Sequence, residues 1–506
     1  MIRNQIKTLV DKVLDQKIDF IVEHPQEKSF GDYATNVALI LAKKKKKNPV
    51  ILAEEIKLKL EKNPLFEKIE VINGFINFFL KKDYFLKQFK EISIKKSKFG
   101  EINIGKSKKV QVEFISANPT GPLTVANARG GPMGDVLANI LMKAGYKVEK
   151  EFYVNDSGNQ IMELGKSVLG KGTQYKGAYI NKLKIAEKDP YKAGKKAAKI
   201  ITNTLIKKST DKLGIKYDNW FFESSLDIDP IIEKLEKKKL MYKKEDAVWF
   251  KSKKFGDIRD RVLIKSDSWK TYLAGDIAYH DNKFRVRKFD KVINVWGADH
   301  HGDIPGLMAG VEAIGFKGKL EIIIHQFVNV LEKGKKVRMS KREGKFVAID
   351  ELIDKVGVDA IRFFFLMYSA NRHMDFDIGL AKEKSEKNPV FYVQYAYARI
   401  NSILRKAKKS LRPKFSLLVH PSELNLIKQL IKLPEIIEDT TNDYQVQRLP
   451  QYAIDVATAF HRFYTDCKVL GDYKDMENAR LALIESTKIV LENILDLMGI
   501  SKPKKM

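Results

Sequence analysis

The 506-residue sequence has a single cysteine, Cys467. That rules out an internal disulfide and any structural zinc site needing two or more thiolates, and it fits a reducing compartment. Long apolar runs are missing too. The clusters at 363–368 and 74–80 are core-sized, well short of the ~20 apolar residues of a membrane span. The N-terminus lacks an apolar signal core with a cleavage site. The expectation is a cytoplasmic protein with no membrane partner. Internal repeats are absent, and the lysine run at 43–47 is the one low-complexity tract. Hydrophobic residues make up 44% of the chain, which suits packed cores rather than disorder. The length suggests about three domains. Lys and Arg number 93 against 64 Asp and Glu, a net charge of +29. Such an excess favours a polyanionic partner through steering and counterion release, but it reads equally as lysine-rich solvated surface.

Local patterns divide the chain. Residues 1–92 read as a small mixed module, in which helical patterns precede Ile69-Glu-Val-Ile-Asn-Gly-Phe-Ile-Asn-Phe-Phe-Leu80, two strands around an Asn73-Gly74 turn. A basic linker follows. Residues 110–116 alternate as a strand and run into the turn cluster Asn118-Pro-Thr-Gly-Pro122. Val136, Leu137, Ile140, Leu141 and Ala144 then share a helical face closed by Gly145, and 147–154 reads as a strand. This βαβ unit belongs to a parallel sheet, which binds ligands at the carboxyl ends of its strands. A further strand at 291–295 leads into Trp296-Gly-Ala-Asp-His-His-Gly302, so the sheet is expected to resume after one insertion of about 155–285. From 385 onward the pattern is helical. Asn388-Pro389 is a helix start, and Val393, Ala396, Tyr397, Ile400, Ile403 and Leu404 share a face.

Two segments carry anion-binding chemistry. The loop from Glu113 to Gly131 joins a strand to a helix, and Gly130, Gly131 and Gly134 permit close backbone approach to a phosphate. A dinucleotide enzyme is remote, because no G-x-G-x-x-G is present. The second segment, Gly334-Lys-Lys-Val-Arg-Met-Ser-Lys-Arg-Glu-Gly344, clusters cations between glycines. Alone, it reads first as a basic surface loop.

Together these segments resemble the two signatures of class I aminoacyl-tRNA synthetases, and specifically the arginyl-tRNA synthetase family. Similar blocks run along nearly the whole chain: 29–39, 74–78, 153–160, 220–226, 271–280 and 296–302. The ending at 497–506 also resembles the family's, so a complete chain is expected. The resemblance implies a multidomain α/β protein. A Rossmann-like parallel-sheet catalytic domain would span 105–375 with its insertion. A small α+β N-terminal domain at 1–92 would contact the tRNA D-loop, and an all-α bundle at 385–506 would bind the anticodon. It further implies an arginine–tRNA ligase that uses ATP and Mg²⁺, with L-arginine and tRNA(Arg) as partners, and a monomer. No metal site of the protein's own is expected.

The resemblance also assigns residues. Arginine would be held by Glu223, Tyr272 and Asp276 at its guanidinium and by Asn118 and His300 at its α-amino acid end. Two carboxylates and a phenol suit a planar five-donor cation. Singly, Glu223 reads as a surface cap, Tyr272 as core and His300 as a satisfied histidine; as a set they do not. ATP would meet Pro119, Gly121, Thr124, Asn127, Met339, Ser340 and Lys341. Thr124, Asn127, Arg338 and Lys341 would stabilise the reacting phosphates, and Phe75 and Asn77 would contact a tRNA base. The chain departs from the family at Thr124-Val-Ala-Asn127, where His-x-Gly-His is usual. Loss of one preorganised donor costs about 2.7 to 4 kcal/mol. Thr124 and Asn127 are neutral donors and are expected to replace the histidines. In the second signature Arg338 stands for the first Lys, whereas Lys341 is kept. The rival reading is a synthetase-like tRNA-binding protein with impaired catalysis. On the bundle, Tyr392, Tyr395, Tyr397 and Arg399 read as core or as RNA contacts.

Overall fold

The computed structural model describes residues 1–337, 347–407 and 413–506, the side chain of Lys28 excepted. Near the N-terminus β1 (Val22–Glu23), β2 (Tyr33–Thr35), β3 (Phe66–Ile72) and β4 (Phe75–Leu80) form an antiparallel sheet in the order β1-β2-β4-β3. The Asn73-Gly74 turn is as expected. Both residues have positive φ, 52° and 83°, which matches the twist of a two-residue hairpin. A Cβ at Gly74 would also lie 2.8 Å from Leu39. The lysine run ends the Val37–Lys45 helix, where cations oppose the negative end of its dipole, and it stays exposed.

Beyond the linker come β5 (Lys109–Phe114), β6 (Lys147–Val154) and β7 (Asn219–Phe222). Three antiparallel strands follow, β8 (Met241–Lys244), β9 (Ala247–Phe250) and β10 (Arg261–Ile264). The chain then returns with β11 (Lys291–Gly297) and β12 (Leu320–His325). The five strands β12-β11-β5-β6-β7 make one all-parallel sheet. The expectation of a single insertion over about 155–285 needs correction, because β7 lies inside that span and pairs with β6. Four half-buried residues at a sheet edge carry no alternation, so pairing alone reveals this strand. A last small sheet joins β13 (Val328–Glu332), β14 (Lys335–Lys336) and β15 (Met374–Asp377).

The remaining chain is helical. The Pro389–Lys406 helix starts as its sequence says, with the Asn388 side chain accepting from the Val390 N–H. Four more helices follow, Pro421–Leu430, Leu433–Asp443, Arg448–Asp466 and Lys474–Met498. Ile484, Thr487, Leu491, Ile494 and Leu495 on the last are fully buried. Tyr397 is buried and donates to Glu492 at 2.7 Å, whereas Tyr395 is exposed with Arg399 4.8 Å from its ring. The bundle grips both other parts. Buried Glu435 accepts from the Tyr33 hydroxyl (3.0 Å) and the Arg3 N–H (3.3 Å). Buried Arg362 donates to the carbonyls of Met498 (2.7 Å) and Leu213 (2.8 Å) and pairs with Asp135. No described helix is long and apolar enough to cross a membrane.

Candidate active site

The strand order sets where a ligand can sit. From β5 the chain steps outward through β6 to β7, and later in the other direction from β11 to β12. The crossover helices thus leave the sheet in opposite directions beside β5 and β11, and a crevice opens at their carboxyl ends. The loops after these two strands carry Asn118, Pro119 and Gly121 on one side and His300 on the other.

Backbone geometry there is unusual. Ile115 and Ser116, immediately after β5, have φ of 66° and 40°. A β-branched residue in that region is strained, and strain of this kind persists only where the surroundings enforce it. Here the Ser116 hydroxyl donates to Glu113 (3.0 Å) and accepts from the Tyr153 N–H (3.1 Å). The expected strand end at 116 is therefore two residues too long. Asn118 is exposed and its carbonyl accepts from the Thr120 N–H at 2.8 Å, while Pro119 is buried. Gly121 faces Tyr179, whose hydroxyl donates to the Thr120 carbonyl at 2.8 Å.

Thr124 and Asn127 meet each other. Thr124 caps the short Val125–Ala128 helix and accepts from the Asn127 N–H at 3.3 Å, while its hydroxyl donates to Asn127 Oδ1 at 2.6 Å. The hydroxyl proton expected to replace a histidine is thus committed within the protein, and the Asn127 Nδ2 hydrogens remain as donors. The Gly130–Lys143 helix begins just beyond, with its positive end at the crevice. Arg338, Met339, Ser340 and Lys341 lie outside the described residues. The segment resuming at Val347 pairs with the first signature: the Val125 N–H donates to the Val347 carbonyl (3.1 Å) and the Ile349 N–H to the Leu123 carbonyl (2.9 Å).

The acidic side of the crevice is built from β7 and the Tyr272–Asp281 helix. Thr271 caps that helix, and Tyr272 and Asp276, four residues apart, share a face. Glu223 opens the turn after β7, and its Oε1 lies beside Gly275 of that helix, 3.7 Å from where a Cβ would sit. Burial raises the Glu223 pKa, with Asp156 adding repulsion, while Ser157 and Tyr153 oppose the shift by hydrogen bonding. Glu223 Oε2 is buried and has no hydrogen-bond partner. Asp276 is pushed up to about 8, first by burial and then by Glu113, Glu223 and Asp303. Tyr272 is half-exposed within reach of Gln160. His300 is exposed, 3.6 Å from Asp303. Glu223, Tyr272 and Asp276 thus lie within electrostatic reach of one another. Beneath them buried Lys283 is already paired with Glu113 at 2.5 Å.

Some residues of the site had no assigned role in the sequence. Arg129 is fully buried and donates to the carbonyls of Gln326, Phe327, Ser369 and Arg372, and burial lowers its pKa to about 10. It welds the start of the 130–143 helix to the loops below it. No spacing in one sequence singles out such a residue. In the N-terminal sheet Phe75 and Asn77 share a face of β4 opposite the core residues Ile76 and Phe78, but Phe75 is 38% exposed and Asn77 only 3%.

Three family models match the chain. They are the arginyl tRNA synthetase N terminal domain over 1–80, the tRNA synthetases class I (R) catalytic domain over 171–364, and the DALR anticodon binding domain over 393–506. The arginine–tRNA ligase of Carboxydothermus hydrogenoformans is 40% identical, over 97% of this chain and 95% of its own. That of Caldanaerobacter subterraneus is 42% identical, over 96% and 94%. The arginyl-tRNA synthetase structure from Thermus thermophilus shares the fold, with a TM-score of 0.82 over 100% of both chains at 22% identity. The parallel sheet, its switch-point crevice and the matched catalytic domain define a class I aminoacyl-tRNA synthetase. Within that class the chain belongs to the arginyl-tRNA synthetase family.

Proposed function

We propose that the protein is an arginine–tRNA ligase whose amino-acid pocket is the acidic edge formed by Glu223, Tyr272 and Asp276. The observation that carries this pocket is the buried, unpartnered Glu223 Oε2 beside a carboxyl forced up to about 8. Such a site is costly when empty and is relieved by a cation with several N–H donors. A guanidinium supplies both charge and fork, whereas an ammonium supplies charge alone. Asn118 and His300, on the loops across the crevice, face the α-amino and carboxylate end.

ATP lies along the first signature. Pro119 and Gly121 line the approach, Asn127 donates through Nδ2, Thr124 orients that carboxamide, and the 130–143 helix end favours the phosphates. Lys341, with Arg338, Met339 and Ser340, is assigned to the triphosphate by its family position. Mg²⁺ enters with ATP as the counter-ion of the triphosphate. Among the described residues no cluster of three or more His, Cys, Asp or Glu is arranged to hold a metal, and we assign none. The arginine carboxylate attacks the α-phosphorus, the bond to the β-phosphate oxygen breaks, and pyrophosphate leaves. A terminal ribose hydroxyl of tRNA then attacks the activated carbonyl, losing its proton as AMP departs. Positioning and charge stabilisation suffice for both steps, without a protein nucleophile.

The tRNA would contact the C-terminal bundle with its anticodon and Phe75 with an unpaired base; a monomer in the cytoplasm is the accompanying reading. Arginine-dependent pyrophosphate exchange, with and without tRNA, tests the whole. Exchange in either condition supports the ligase. Silence in both, from folded protein that binds tRNA, would leave a binding protein without activation chemistry.

A further inference from the structure

Glu223 is held in place by its neighbours in a specific way. It opens a one-turn 3₁₀ segment, Glu223–Ser225, at the end of the sheet's edge strand. Asp156, on the loop after β6, grips that turn twice. Its Oδ1 accepts the Ser224 N–H at 2.8 Å and its Oδ2 accepts the Ser224 hydroxyl at 2.7 Å. Ser157 and Tyr153, on the same stretch of chain, oppose the rise of the Glu223 pKa by hydrogen bonding. Glu223 Oε2 itself is buried without a hydrogen-bond partner. The helix that follows, Gly158–Val168, starts beside the phenol: a Cβ on Gly158 would lie 3.9 Å from the Tyr272 hydroxyl, and Gln160 lowers the Tyr272 pKa by hydrogen bonding.

We infer that Asp156 and Ser224 are positioning residues for arginine specificity: their two-point clamp sets the direction of the free Glu223 oxygen. The inference rests on the reading that Glu223 receives the guanidinium. A planar fork tolerates an acceptor displaced by only about 0.5 Å or 10–20°. Without the clamp, Glu223 keeps its charge and its place in the pocket but not its angle. Binding of a guanidinium with both fork N–H groups then suffers more than binding of one that has lost a fork donor. ATP, on the far side of the crevice, is indifferent.

The test uses the full-length protein with tRNA and compares Ser224→Ala, Ser224→Thr, Asp156→Asn and Glu223→Gln with the parent. Steady-state exchange gives KM for arginine and ATP, and kcat/KM for arginine against ω-N-methylarginine. Ser224 is exposed and its loss leaves the core intact, so this variant carries the test even if Asp156→Asn folds poorly. Loss of one such hydrogen bond is expected to raise the arginine KM about fivefold in Ser224→Ala. The ATP KM should stay constant, the preference for arginine over its methylated form should narrow, and Ser224→Thr should restore both. An unchanged arginine KM in Ser224→Ala, or arginine and ATP KM rising together, would overturn the clamp while Glu223→Gln still impairs arginine. If Glu223→Gln itself leaves the arginine KM unchanged, the pocket reading is what fails.

Discussion

In the proposed pocket, Asp276 would make arginine binding a proton-linked event. Its carboxyl is held near 8 by burial and by the negative charges of Glu113, Glu223 and Asp303. At pH 7 a group of that pKa is ionised in about one molecule in eleven, and at pH 9 in about ten of eleven. A guanidinium remains charged throughout and requires the carboxylate, so its arrival lowers the pKa and expels the proton. The sign follows: arginine affinity rises with pH, by about tenfold between pH 7 and 9, and flattens above. The proton belongs to the Asp276–Glu223 pair as much as to either member, because the two repel. Titration calorimetry at pH 7 in two buffers of different ionisation enthalpy reads this directly, and about 0.9 proton should leave per arginine bound. Asp276→Asn should bind arginine weakly and release none. Absence of proton release at pH 7, with affinity flat from pH 6.5 to 9, would refute the reasoning.

Three other outcomes are expected. Asn127→Ala should slow adenylate formation about a hundredfold, the loss of one preorganised donor, while Thr124→Ala slows it less and also lowers the melting temperature through the lost cap; single-turnover kinetics and a thermal melt separate the two. Phe75→Ala should weaken tRNA binding by about 1–3 kcal/mol in a filter assay at fixed salt, whereas the buried Asn77, replaced by Ala, should change affinity less than it changes stability. Arg129→Met strands buried carbonyls of Gln326, Phe327, Ser369 and Arg372, so it should cost at least about 3 kcal/mol of stability in denaturant titration; a loss below 1 kcal/mol would show the guanidinium to be dispensable.

Local chemistry determined much of this protein from its sequence alone. The Asn73-Gly74 hairpin, the Asn388-Pro389 helix start and the β5–helix–β6 unit each depend on residues close in the chain, whose φ preferences, caps and apolar periods act before any distant contact forms. The acidic and phenolic residues were assigned by resemblance, since side-chain type is what says that a cation would suit them. Tertiary structure decided what depends on neighbours far along the chain. β7 is a strand because β6 offers it a parallel edge, and its four residues carry no pattern of their own. Thr124 and Asn127 look like two free donors in sequence, yet their folded proximity spends one on the other. Asn77 looks as available as Phe75 in sequence, yet in the central strand β4, between β2 and β3, it is 3% exposed. The Asp276 pKa, the bare Glu223 oxygen and the Asp156–Ser224 clamp arise from desolvation and direction. Both are set by which surfaces the fold brings together.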